Sequence, residues 1–107
     1  MKVAVASQNR RSVTAHAGRC RRFWVYDVLG GEAAPGQLLE LDKEGTLHAL
    51  RPGIPPALAG LDVLIAADPC PNLLRRLARH GIEGRASACE RPDDAVRAFL
   101  AEQHQPA

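Results

Sequence analysis

Val63-Leu-Ile-Ala-Ala67 is a continuous apolar run, broken by Asp68-Pro-Cys-Pro-Asn72. After the break, Leu73, Leu74, Leu77 and Ala78 share one helical face while Arg75, Arg76 and Arg79 share the other. An apolar run with no polar alternation is the pattern of a strand buried on both faces, and such strands are usually parallel and flanked by helices. The helix predicted from about Pro71 stops at Gly81, which suits a position just past a helix end. Ile82 to Ala88 then reads as a weaker, edge-like strand. A strand, a helix and a strand in succession form a crossover that makes the two strands parallel, and this unit sets the class as α/β.

Toward the N-terminus, Val3-Ala-Val-Ala6 is a short buried strand, followed by a polar loop from Ser7 to about Arg21. Phe23-Trp-Val-Tyr-Asp-Val28 is aromatic and β-branched, hence a second strand, ended by Gly30-Gly31 and a turn extended through Ala34-Pro-Gly36. Gln37 to Leu41 gives a third strand, Asp42 to Gly45 a turn, and Thr46 to Leu50 an extension of the hairpin. Pro52, Pro55 and Pro56 forbid a long helix but allow a short one from Pro56 to Gly60. Toward the C-terminus, Pro92, Asp93 and Asp94 open a last helix with Val96, Phe99 and Leu100 as its buried stripe, and the tail 103–107 frays. The expected order is β-β-β-α-β-α-β-α, a five-stranded mixed sheet with strands one, four and five parallel.

A chain of 107 residues holds one core, so residues 1–107 are expected to form one domain. Apolar residues at 46% and charged ones at 24% fit a soluble globular protein. No apolar run approaches the roughly 20 residues that span a bilayer, and the start lacks the features of a signal peptide, which predicts a cytoplasmic protein with no membrane partner. In that compartment Cys20, Cys70 and Cys89 stay as thiols. Charge is uneven: residues 1–26 hold six Lys or Arg and no acid, whereas the whole chain is only +2. A local basic field on a nearly neutral protein suits a compact anion better than nucleic acid, which needs an extended basic face.

Chemistry concentrates between His16 and Arg22, which hold an imidazole, Gly18, the Cys20 thiol and the guanidinium groups of Arg19, Arg21 and Arg22. Loops that leave the C-terminal ends of parallel strands share one sheet edge, where open α/β folds bind ligands. The first strand leads to His16 and Cys20, the fourth to Asp68 and Cys70, the fifth to Cys89. His16, Cys20, Cys70 and Cys89 are thus candidate ligands for a soft or borderline metal, with a zinc site of the Cys3His type as one alternative. Cys89 is the weakest of them, because free cysteine is among the most buried residue types. Gly18 would allow close approach of backbone to a ligand, and Pro69 and Pro71 stiffen the Cys70 loop. His48, His80 and His104 read as surface residues. Catalysis has little to point to: no nucleophile motif, no phosphate-binding glycine loop, and on this edge only Asp68 and Glu90 as acids.

Met1-Lys-Val-Ala-Val-Ala-Ser7, His16-x-Gly18-Arg19 before Phe23-Trp-Val-Tyr-Asp-Val28, Leu61-Asp-Val-Leu-Ile-Ala66, Leu77-x-x-x-Gly81-Ile82 and Asp94-Ala-Val-x-x-Phe-Leu100 together resemble the dinitrogenase iron–molybdenum cofactor biosynthesis family, of the NifX, NafY and NifB C-terminal domain kind. The resemblance spans nearly the whole chain. It implies a ribonuclease H-like three-layer fold and a non-catalytic carrier. The cargo would be the iron–molybdenum cofactor or its iron–sulfur precursor, and the partners nitrogenase assembly proteins or apo-nitrogenase. A cluster-free docking module is the other function the sequence allows. By similarity His16 matches the histidine of the family's His-Phe-Gly loop, and Cys20 the cysteine of its His-Phe-Gly-Ser-Cys variant. Two departures stand out: Ala17 replaces the loop's phenylalanine, and Asp68-Pro-Cys-Pro71 replaces a glycine-rich turn.

Overall fold

A computed structural model describes residues 1–103. Its elements are β1 (Lys2–Ala6), β2 (Arg22–Leu29), β3 (Glu32–Ala33), β4 (Gln37–Glu40), β5 (Val63–Ala66), α1 (Pro71–Arg79), β6 (Glu83–Ala86) and α2 (Pro92–Gln103). The unit that decided the class is in place, with β5 parallel to both β1 and β6. β2 runs antiparallel to β1, Val3 opposite Tyr26, and completes a mixed sheet.

The sheet has six strands where five were expected, because Glu32–Ala33, within the stretch read as a turn, pairs as a short strand ahead of the expected third one. β3 and β4 both pair with the outer side of β2, Ala33 opposite Val28 and Leu39 opposite Phe23. Between them Ala34-Pro-Gly36 bulges away from the ladder: Pro35 has no N–H to give, and Gly36 lies so close to Tyr26 that a Cβ there would meet the ring at 3.0 Å.

Side-chain alternation along the strands builds two apolar layers. Ala4, Ala6, Phe23, Leu64 and Ala66 face Leu73 and Leu77 of α1. Val3, Val5, Tyr26, Val28, Val63 and Ile65 face Ala95, Val96, Phe99 and Leu100 of α2. The helices therefore cover opposite faces of the sheet. Gly81 takes φ +77 just past α1, and the Ile82 N–H reaches back to the Leu77 carbonyl at 3.0 Å. α1 also lies tightly on β6, since a Cβ at Gly84 would stand 2.4 Å from Leu74 Cδ2.

Two expectations are corrected. Thr46 to Leu50 extends no hairpin: Leu47 is fully buried on the α1 face, and the Thr46 hydroxyl accepts the Ala49 N–H at 3.1 Å, so the segment turns back over the sheet. Pro56 to Leu58 is one 3-10 turn rather than a helix, anchored by fully buried Leu58. α2 runs through Gln103, and the rest of the tail expected to fray, from His104 on, lies outside the described residues. Among the described residues no helix is long and apolar enough to cross a membrane.

Candidate functional site

β1, β5 and β6 are parallel, so the loops that leave them gather at one edge, and backbone hydrogen bonds tie these loops together. The Thr14 N–H donates to the Ala6 carbonyl at 2.7 Å, Ala67 to Thr14 at 2.9 Å, Asp68 to Ala15 at 2.8 Å, and Val13 to Glu90 at 2.8 Å. The loop after β1 is thereby laid across the exits of the other two strands. It delivers His16 to the Asp68-Pro-Cys70 turn.

His16 is exposed, and its Nδ1 lies 3.0 Å from the Asp68 carbonyl oxygen. A carbonyl only accepts, so this bond places a proton on Nδ1 and, in the neutral ring, leaves the Nε2 lone pair free to bind a metal. Metal-binding histidines are commonly oriented this way. Two residues on, Cys70 is the N-cap of α1, is exposed, and makes no side-chain capping bond. Its thiol is uncommitted, beside the positive end of a helix that favours thiolate.

A basic cluster borders this edge on the α1 face. The His48 N–H donates to the Gly18 carbonyl at 2.6 Å, and Arg19 Nη2 lies 3.3 Å from His48 Nε2. Arg51 Nε donates to the His48 carbonyl at 3.0 Å. Arg76, reaching across from α1, donates through Nε to the Gly53 carbonyl at 2.9 Å and through Nη2 to Leu47, which pins the 47–53 segment to the helix. The guanidinium groups of Arg51 and Arg19 hold the His48 pKa below its ordinary value, with lesser help from desolvation and Arg76. Burial and Arg51 likewise lower the pKa of Arg76, an effect that Cys70 partly offsets. No carboxylate appears among these influences. The cluster is a positive field with an exposed thiol at its margin, suited to a compact anion.

His48, read from the sequence as a plain surface residue, is thus the centre of this cluster. Arg51 carried no expectation, and Arg76 was placed on a solvent-facing helix side. What joins them is the fold of residues 46–60 over the sheet, for which no spacing in the sequence gives a signal.

Other expected site residues fall elsewhere. Cys20 is 3% exposed, packs within the α1-face core, and donates its S–H to the Arg22 carbonyl at 3.0 Å; burial pushes its pKa up. It is a core thiol and not a free ligand. Cys89 is half-buried against the α2-face cluster, across the sheet from Cys20. Among the described residues no three His, Cys, Asp or Glu side chains come together as a metal group, so His16, Cys20, Cys70 and Cys89 do not form a Cys3His zinc site. Arg21 and Arg22 brace the sheet: Arg21 Nε donates to the Leu41 carbonyl at 3.0 Å, and Arg22 lies 3.6 Å from Glu40 and bonds the Gln8 carbonyl. The basic stretch has a neutralising acid after all, supplied by β4. Gly18 has no left-handed φ, and a Cβ there would meet only His48 Cβ, at 4.0 Å; its part in the site is the carbonyl that holds His48.

The architecture is shared with solved structures. PH0822 superposes with a TM-score of 0.75 at 21% identity, over 95% of this chain and 91% of that one. A dinitrogenase candidate from Methanocaldococcus jannaschii gives 0.69 at 14% identity, over 96% and 90%. A NifB candidate from Thermotoga gives 0.64 at 21% identity, over 94% and 87%. At such identities these likenesses establish the fold. No curated protein matches the sequence significantly. The profile of one family, described as "Dinitrogenase iron-molybdenum cofactor", matches residues 1–102, and the chain belongs to that family.

Proposed function

We propose that the protein is a non-catalytic carrier of an anionic metal–sulfur cluster, the iron–molybdenum cofactor or its iron–sulfur precursor. It would act in the cytoplasm between nitrogenase assembly proteins and apo-nitrogenase. Family membership associates the chain with the biosynthesis or binding of that cofactor. The observation that carries the reading is the bond from His16 Nδ1 to the Asp68 carbonyl, which turns Nε2 into an oriented ligand on an exposed edge.

The surroundings fit such a cargo. Cys70 offers an exposed thiol of the kind that iron–sulfur clusters take as terminal ligands. Arg19, Arg51 and Arg76 meet negative charge with guanidinium groups. A carrier must also let go, and one imidazole, one thiolate and a field release a cluster more readily than a closed cage. No catalytic step enters this reading; the gathered groups are suited to holding.

Anaerobic mixing with isolated iron–molybdenum cofactor, gel filtration, and iron and molybdenum analysis of the protein peak test it. Both metals are expected to co-elute with the protein. A metal-free peak would refute the carrier and leave the cluster-free docking module.

A further inference from the structure

A cavity of about 690 Å³ has neither His16 nor Cys70 in its lining. It opens on the α2 face of the sheet, where Trp24 and Tyr26 form a floor and Pro35, Pro92 and Val96 stand around it. Its volume is within the roughly 300–1,000 Å³ of small-molecule sites.

The charges around it are one-sided. Arg10, Arg11, Arg91 and Arg97 face one carboxylate, Asp93. Asp93 is already engaged, accepting the Tyr26 hydroxyl at 2.6 Å, and Arg97 is paired with Asp94 at 3.2 Å. Arg10, Arg11 and Arg91 have no carboxylate within ion-pair distance among the described residues. The first two are held in place. Asn9 Oδ1 accepts the N–H groups of Arg11 and Ser12, both at 2.8 Å, and Arg10 sits at φ +65 with its carbonyl taking the Trp24 indole N–H at 3.3 Å. A non-glycine residue at that φ is uncommon and persists where its surroundings enforce it. The same bond fixes the indole plane.

We propose that this cavity is a second binding site, for a ligand of mononucleotide size that stacks a flat ring on Trp24 and sets its phosphate among Arg10, Arg11 and Arg91. An indole face tolerates any aromatic ring, with stacking worth about 1–3 kcal/mol per base, and guanidinium forks match phosphate oxygens. The site shares no lining residue with the His16 and Cys70 site, which lies toward α1, although the loop after β1 serves both.

Trp24 is the single tryptophan of the chain, so its emission reports on this cavity alone. Titration of the full chain with AMP, followed by Trp24 fluorescence and by calorimetry, is expected to show saturable binding. Adenosine should bind at least about tenfold more weakly, the loss of charge-assisted contacts. The double variant Arg11→Ala, Arg91→Ala should weaken AMP by about tenfold or more at unchanged circular dichroism. Absence of both a saturable optical change and a heat of binding would overturn the proposal. So would adenosine binding as tightly as AMP, or the double variant binding AMP like wild type.

Discussion

Two thiols of the same chain meet opposite fates. Cys20 follows Arg19 and precedes Arg21 and Arg22, in the most basic stretch of the sequence, yet it is buried in the α1-face core with its S–H given to a carbonyl. Cys70 sits between two prolines, and it is the one left exposed and uncommitted, at a helix N-terminus beside Arg76. Local composition leaves Cys20 and Cys70 as competing candidates for a ligand. Three-dimensional context separates them, because the backbone path into β2 points Cys20 toward Ala4, Ala6 and Phe23, whereas the turn before α1 leaves Cys70 exposed.

The largest effect that sharpens this contrast is on stability. Phe23, fully buried beside Cys20, is expected to cost about 3–5 kcal/mol as Phe23→Ala, read from urea unfolding. A loss under 1 kcal/mol would mean that the Cys20 region is not core. Next comes reactivity. Iodoacetamide on the native protein, with mass-spectrometric site mapping, should label Cys70 about a hundredfold faster than Cys20, whose thiol is desolvated and waits on local opening. Comparable rates would erase the distinction.

The smallest effect is electrostatic. His48 is held below its ordinary value of 6.5 by Arg51 first and then Arg19, so in the folded state it gives up its proton more easily than in the unfolded chain. The unfolded state therefore binds more protons between the lowered folded value and 6.5; this contribution to stability is intact above 6.5 and is lost as pH falls from there through the lower folded value. Arg51→Ala should move the His48 titration upward, measured by NMR of the imidazole. An unmoved titration would remove Arg51 from the cluster.

Much of the fold was legible because its signals are local. The apolar run at Val63, the Pro71 and Gly81 limits of α1, and the aromatic β2 each depend on neighbours within one element. The break at Ala34-Pro-Gly36 was read as turn composition, but that the strand resumes on the same side of β2 is a matter of packing against Tyr26. The convergence of His16 with the Asp68-Pro-Cys70 turn followed from the parallel strands. Its basic border did not, since Arg76 meets Leu47 and Gly53 across more than twenty residues of a segment with no periodic pattern. Whether Cys20 enters the core or faces solvent was not legible, because it lies just ahead of β2, where strand alternation gives no direction.

The central claim is that the His16 and Cys70 edge, and not Cys20, holds the cluster. Its most direct test is retention of isolated iron–molybdenum cofactor by wild type, His16→Ala and Cys20→Ala under identical anaerobic gel filtration, with iron and molybdenum counted per protein. Wild type and Cys20→Ala should retain alike, while His16→Ala should fall by about tenfold or more, the scale on which even a supporting residue of a metal site matters. Equal retention by His16→Ala, or loss confined to Cys20→Ala, would contradict it.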